Sequence, residues 1–251
     1  MKIRPGHIFS AAVSALVLAG MLILAGCGRS QRSKALCNAL DVQIKDAWEF
    51  VTPEDIKGFL DKKYGVYIGV RLDSLDLARM ERLLEQKSIV MNSEAWTTKD
   101  GVLHISIVQR APALRFQKGE EGFYMDRTGY VFPLHSSYTA DVPVIEGTLP
   151  ALDSASLAAW SEGLLNLSDY IASSKQWKDK IEKIRVNDGG EVELKTVEGK
   201  ERFIFGAPDK IKDKFEKMGR YCSVIRPAKE EGLYKSINLK YNKQIICRKD
   251  I

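Results

Sequence analysis

No acidic residue occurs in the first forty positions of this 251-residue chain, and the whole sequence holds only three histidines and four cysteines. Each scarcity excludes a class of function. A Ser-His-Asp hydrolase needs a nucleophile within reach of a histidine that an acid orients. His7 precedes a long apolar run, His104 stands in an alternating stretch, His135 follows Pro133, and no G-x-S-x-G occurs. His104 therefore reads as a strand-face residue. Cys27, Cys37, Cys222 and Cys247 form no C-x-x-C and have no histidine at metal-ligand spacing, which argues against zinc. Phosphate-loop and dinucleotide glycine patterns are also absent. No catalytic residue, metal, cofactor or small-molecule substrate is expected. So few cysteines exclude a disulfide-built miniprotein. A hydrophobic content of 45% excludes a disordered chain.

The formal net charge is +5, and Lys2, Arg4, Arg29, Arg32 and Lys34 account for all of it. Beyond residue 40 acids and bases balance, so the excess does not mark a nucleic-acid-binding body.

Residues 8–28 contain no charged side chain. As a helix rising about 1.5 Å per residue they would cover roughly 30 Å, the thickness of a bilayer core. A buried core helix would be shorter and would carry a polar stripe. The expected arrangement is a cytoplasmic tail over 1–7, a single transmembrane anchor over 8–28 and a polar, basic linker over 29–40, with the bulk of the chain outside the cytoplasm. Two other fates fit the same run. It could be cleaved as a secretory signal. It could also be lipidated, since Leu24-Ala25-Gly26-Cys27 fits the lipobox pattern, whose final thiol is acylated. Positive charge flanks both sides, so the positive-inside rule leaves orientation open.

Two folded regions follow. Over 41–110, a short strand at Val42–Lys45 precedes a helix whose start is written in Thr52-Pro53-Glu54-Asp55, with Thr52 as N-cap and Pro53 in the first turn. Asp73 or Ser74 opens a second helix that turns Leu75, Leu77, Met80, Leu83 and Leu84 inward and Glu81, Arg82 and Glu85 outward. A hairpin around Lys99-Asp100-Gly101 completes a β-α-α-β-β order. Over 111–251 the pattern predicts a hairpin around Asp126–Gly129, a helix over roughly 153–172, and strands at 181–187, 191–197 and 201–205. A helix near Pro208 exposes Lys210, Lys212, Lys214 and Lys217. Strands at Ser236–Tyr241 and Gln244–Cys247 close the region. The fold class is α+β: a β-α-α-β-β module, then a mixed β-sheet domain with helices. In an oxidising compartment two of Cys37, Cys222 and Cys247 could pair; buried free thiols are the alternative.

Four local sequences, in order, resemble those of one family. Ile107-Val108-Gln109-Arg110-Ala111-Pro112-Ala113 resembles a strand exit of the type Val-x-x-Arg-x-Pro. Tyr124–Phe132 resembles a D-x-x-G-x-x-F hairpin. Val142-Pro143-Val144-Ile145-Glu146-Gly147 resembles the segment that follows it, and Ile237-Asn238-Leu239-Lys240-Tyr241 resembles a near-terminal I-D-L-R-Y strand. Together with one span and a β-α-α-β-β module, they resemble the FtsQ/DivIB family of bacterial cell-division proteins, whose module after the membrane is a POTRA domain. Asn238 departs from the family's usual acid, and a lipobox-like Cys27 is not a family feature. The positions of Cys37 and Cys247 resemble those of the Bacteroidetes-type branch, and these two are the candidate disulfide pair.

The resemblance implies a non-enzymatic scaffold of the division septum. It would sit in the inner membrane with its body in the periplasm, bind FtsB/FtsL-type partners by strand addition, and help recruit and regulate septal peptidoglycan synthesis. The implied docking residues are Ile237, Asn238, Leu239, Lys240, Tyr241, Gln244, Ile245 and Ile246, with Tyr241 as aromatic anchor. Alternation would put Ile237, Leu239 and Tyr241 on one face and Asn238 and Lys240 on the other. Residues 207–251 hold twelve Lys or Arg against six Asp or Glu, so this end is a basic pole suited to an acidic partner. The competing function is an envelope-assembly lipoprotein acylated at Cys27.

Overall fold

The computed structural model describes residues 35–136, 138–230 and 232–249. The expected tail over 1–7, the span over 8–28, Cys27 and the linker up to residue 34 lie outside the described residues. Among the described residues no helix is long and apolar enough to cross a membrane. The chain divides into two compact units, one ending at Gln109 and the other starting at Arg110.

The first unit runs β1 (Ala39–Ile44), α1 (Pro53–Lys63), α2 (Leu77–Glu85), β2 (Val90–Thr97) and β3 (Val102–Gln109), with sheet order β1-β3-β2. β1 lies parallel to β3 and β2 antiparallel to it. α1 starts where its sequence dictates. The Thr52 hydroxyl accepts from the Asp55 amide at 3.2 Å, and the Asp55 carboxylate accepts from the Thr52 amide at 2.9 Å. Beyond the helix Gly65 takes φ +99°, a left-handed conformation that glycine adopts without strain. Ile56, Leu60, Met80 and Leu84 pack on Leu103, Ile105 and Ile107 to form the core.

α2 opens later than the sequence suggests. Leu72–Ser74 form a single 3-10 turn, Leu75 is extended, and Asp76 caps the helix by accepting from the Arg79 amide. Asp73 is instead held by Arg71 at 2.6 Å. Glu85 is exposed as expected and Glu81 is half-buried, and both have a second role. They accept from the backbone amides of Ala95 at 2.7 Å and Ser93 at 3.3 Å, on the outer side of β2. The free edge of β2 is thereby closed from within the unit, which blocks strand addition there.

The second unit is built on one nine-stranded mixed sheet. Its elements are β4 (Pro112–Lys118), β5 (Glu121–Asp126), β6 (Val131–Pro133), β7 (Val144–Gly147), α3 (Ser154–Ser173), β8 (Ile181–Val186), β9 (Val192–Thr196), β10 (Arg202–Gly206), α4 (Ile211–Arg220), β11 (Ser236–Asn238) and β12 (Ile246–Arg248). Across the sheet the order is β12-β11-β10-β9-β8-β7-β4-β5-β6. Leu114, Phe116, Ile145, Ile184, Leu194, Phe203, Phe205, Ile237 and Leu239 form a core with Leu164, Leu167 and Ile171 of α3 and Phe215 and Met218 of α4. The Trp160 indole donates to the carbonyl of Gly190 at 2.7 Å and ties α3 to the β8–β9 turn. The strand residues facing away from this core are charged and cross-paired: Glu146 with Lys183 and Arg185, Lys195 with Glu182, and Arg202 with Glu193.

Candidate partner-docking edge

Each of the four local sequences has a physical role. The Asp126 carboxylate accepts from the Thr128 amide at 2.8 Å, the Thr128 hydroxyl at 2.6 Å and the Tyr130 amide at 3.0 Å, and Gly129 supplies φ +83°, so D-x-x-G is a self-capped turn. Arg110 donates to Asp126 at 3.1 Å and lies 3.7 Å from the centre of the Tyr130 ring. At Gly147, φ is +125° and an added Cβ would stand 2.1 Å from the Val186 carbonyl oxygen, so β7 and β8 approach where no side chain fits. Asn238, standing where the family has an acid, accepts from the Lys240 amide at 3.0 Å. A carboxylate and a carboxamide both present that acceptor oxygen, so the substitution keeps the turn.

The strand expected at Ser236–Tyr241 differs from its sequence-based outline. The ladder covers only Ser236–Asn238, with Leu239 adding one bond from its amide to the Ile204 carbonyl at 3.0 Å. The Asn238–Lys240 side-chain bond and a left-handed Lys243 (φ 57°) turn the chain back, and Ile246–Arg248 return antiparallel to Ser236–Asn238. β11 is therefore not an edge. It pairs with β10 on one side and β12 on the other, and β12 is the outermost strand at this end of the sheet, with β6 at the opposite end. Strict alternation fails as well. Ile237 and Leu239 are fully buried, Asn238 is buried too, and Tyr241 is 50% exposed and outside the core. Of the residues implied as docking positions, Ile246 lies on the outermost strand, with Gln244 and Ile245 leading into it. Arg248, which sequence reasoning missed, is exposed on the same strand.

α4 holds this corner. Two of its lysines, expected in solvent, are spent on backbone oxygens. Lys214 donates to the Ala207 carbonyl at 2.7 Å and to Asp209 at 2.5 Å, and is buried over the Phe205 ring. Lys217 donates to the carbonyls of Leu239 and, at 3.0 Å, Tyr241. Burial pushes the Lys217 ammonium below the usual lysine range. Lys240 lies over Gly206, where an added Cβ would meet its Cγ and Cδ at 2.6 Å, and reaches Glu191 at 2.6 Å. Sequence offers no signal for these roles, since each needs an acceptor more than twenty residues away or a local carbonyl exposed by the fold. Between α4 and the returning chain lies a groove of about 470 Å³ lined by Lys210, Asp213, Glu216, Lys217, Arg220, Asn242 and Lys243. Lys212, Arg220, Lys243, Arg248 and Lys249 remain exposed around the corner.

Cys37, Cys222 and Cys247 are free thiols, and Cys37 is fully buried in the core of the first unit. Burial pushes all three thiols up, which disfavours the thiolate that disulfide exchange needs. His104 braces the strand face: its Nδ1 lies 3.0 Å from Asp41 on β1, its Nε2 3.2 Å from the Thr98 hydroxyl, and its ring stacks on Trp96 of β2. The order Thr-His-Asp has a hydrolase outline, yet the neighbouring turn amides are committed. Thr98 donates to Val102 O and Gly101 to Thr98 O, so neither is free to stabilise an oxyanion. Among the described residues no group of three His, Cys, Asp or Glu is placed to hold a metal ion.

A β-α-α-β-β module followed by a wide mixed sheet with β12 at one end defines a two-domain α+β class. A family model described as POTRA-like domain matches residues 35–108, and one described as FtsQ/DivIB, C-terminal related, matches residues 111–248. The chain belongs to the FtsQ/DivIB family, a family of non-enzymatic cell-division scaffolds. No curated protein matches it.

Proposed function

We propose that this protein is a divisome scaffold of the inner membrane. Residues 8–28 anchor it, its two units stand in the periplasm at the septum, and it helps recruit and regulate septal peptidoglycan synthesis. Its partners are single-span proteins of the FtsB/FtsL type. One of them adds a strand beside β12 through main-chain hydrogen bonds. The observation that carries this reading is the place of β12 at the end of the sheet, while the comparable edge at β2 is closed by Glu81 and Glu85. Tyr241, half-exposed at the same corner, supplies an aromatic contact. The exposed cations around it favour an acidic partner segment and faster association at low salt.

The test is capture of an FtsB/FtsL-type pair by the full chain in detergent, against a chain ending at Gln244 and against Tyr241→Ala. Loss of capture by the truncated chain, with far-UV circular dichroism unchanged, supports strand addition; retained capture overturns it. The intact mass of the mature protein tests the lipoprotein alternative. A mass beginning at Met1 supports the anchor, and a diacylglycerol adduct on Cys27 overturns it.

A further inference from the structure

Val66, 81% exposed, is the most exposed large apolar side chain among the described residues. It stands just after α1, in a segment that alternates: Val66 and Ile68 point outward, while Tyr67 between them is buried in the core. This segment leads into the place where the chain enters the first unit. Cys37 accepts from the Gly69 amide at 2.7 Å and donates to Val70 O at 2.8 Å, and the Leu72 amide donates to Ala35 O at 3.0 Å. Leu36 lies within this pairing, opposite Arg71, and is exposed as well. Scattered exposed apolar residues need no explanation, but Val66 and Ile68 lead directly into the segment that pairs with Leu36, which groups the three where the chain enters the unit. Lys62 and Lys63, at the end of α1, are exposed beside it.

What precedes this entry point in sequence identifies the occupant. Residues 29–34 include Arg29, Arg32 and Lys34, and residues 8–28 before them carry no charge. A chain extends at most about 3.5 Å per residue, so Ala35 lies within about 25 Å of Gly28 by any path. Aliphatic side chains rimmed by lysines suit the boundary between anionic head groups and acyl chains.

We propose that Leu36, Val66 and Ile68 form a lipid-contacting patch by which the first unit rests on the bilayer that residues 8–28 enter, with Lys62 and Lys63 against anionic head groups. This rests on the anchored reading of residues 8–28. It fixes which end of the first unit faces the membrane and leaves the opposite end for partners.

The experiment uses the full chain in nanodiscs of phosphatidylethanolamine and phosphatidylglycerol. A photoreactive benzoylphenylalanine replaces Val66, Ile68 or, as a control in the same unit slightly more exposed than Ile68, Met91. After irradiation, mass spectrometry is expected to find phospholipid adducts at positions 66 and 68 with at least about fivefold the yield at 91. Equal yields at the three positions in loaded nanodiscs overturn the patch and leave the anchor standing. Cross-linking of position 66 to a second copy instead of lipid overturns it too. A chain that does not enter nanodiscs overturns the anchored reading, and the patch with it.

Discussion

The Arg110 guanidinium donates to Asp126 across 3.1 Å while its plane covers the Tyr130 ring at 3.7 Å. The first residue of the second unit is thus fastened to the turn that Asp126 caps. Both partners are mostly buried, and the Asp126 carboxylate also accepts from the Thr128 and Tyr130 amides, so its removal costs the ion pair and the turn together. Asp126→Ala is expected to cost the second unit about 3 kcal/mol, Asp126→Asn less, because one acceptor oxygen survives. Denaturant-dependent hydrogen exchange on peptides from 111–248 measures both. Equal costs for the two variants would show that the carboxylate charge matters and the turn acceptor does not.

Two glycines give opposite responses to the same substitution. Gly147→Ala drives a Cβ to 2.1 Å from the Val186 carbonyl at a positive φ, and should cost about 2–4 kcal/mol. Gly58, inside α1, has nothing within 4 Å of an added Cβ, so Gly58→Ala should stabilise the first unit by about 0.5–1 kcal/mol. Thermal unfolding of each variant checks the pair of signs.

Acid should loosen the charged face of the second sheet. Hydrogen bonds, first from Lys183 and then from Arg185, hold the Glu146 carboxyl below its ordinary value of 4.5. A carboxyl with a depressed folded-state pKa adds stability above its unfolded pKa and loses it as pH falls through the folded value. Stability of the second unit should therefore decline as the medium is acidified from about pH 5, more steeply in the native chain than in Glu146→Gln. The difference is modest, since solvent screens a site one-third exposed. Identical acid profiles for the two chains would refute the assignment.

Lys217 predicts a local effect. Its ammonium holds the carbonyls of Leu239 and Tyr241, where the chain leaves β11 to turn into β12. Lys217→Met keeps the aliphatic stem and removes the donor, so amide exchange over 239–248 should accelerate about tenfold while α3 stays protected. Unchanged exchange there would mean that β12 holds itself in place.

The legible parts of this molecule were those with local causes. Thr52-Pro53-Glu54-Asp55 writes its own cap, Asp126 to Gly129 writes its own turn, and helical spacing in Leu157–Leu167 places α3. The parts that were not legible depend on groups far apart in sequence. Glu81 and Glu85 look like a solvated helix face until β2 brings its amides to them. Lys217 looks like one lysine among several until Leu239 and Tyr241 arrive. The docking corner shows both cases. Alternation puts Ile237 and Leu239 on one face, and both are in the core; a second strand at Gln244–Cys247 is also legible, but a turn at a left-handed Lys243 carries no glycine to announce it, so its antiparallel return beside β11 is not. Of the expected positions, Ile246 lies on the outer strand and Ile237 and Asn238 lie one strand in.

Backbone amide exchange of Ile246–Arg248, measured by NMR in the full chain with and without the proposed FtsB/FtsL-type partner, tests the proposed docking edge most directly. Strand addition beside β12 predicts strong new protection within this strand and little change in β2. Protection that appears elsewhere in the sheet, with β12 amides exchanging as fast as before, would contradict it.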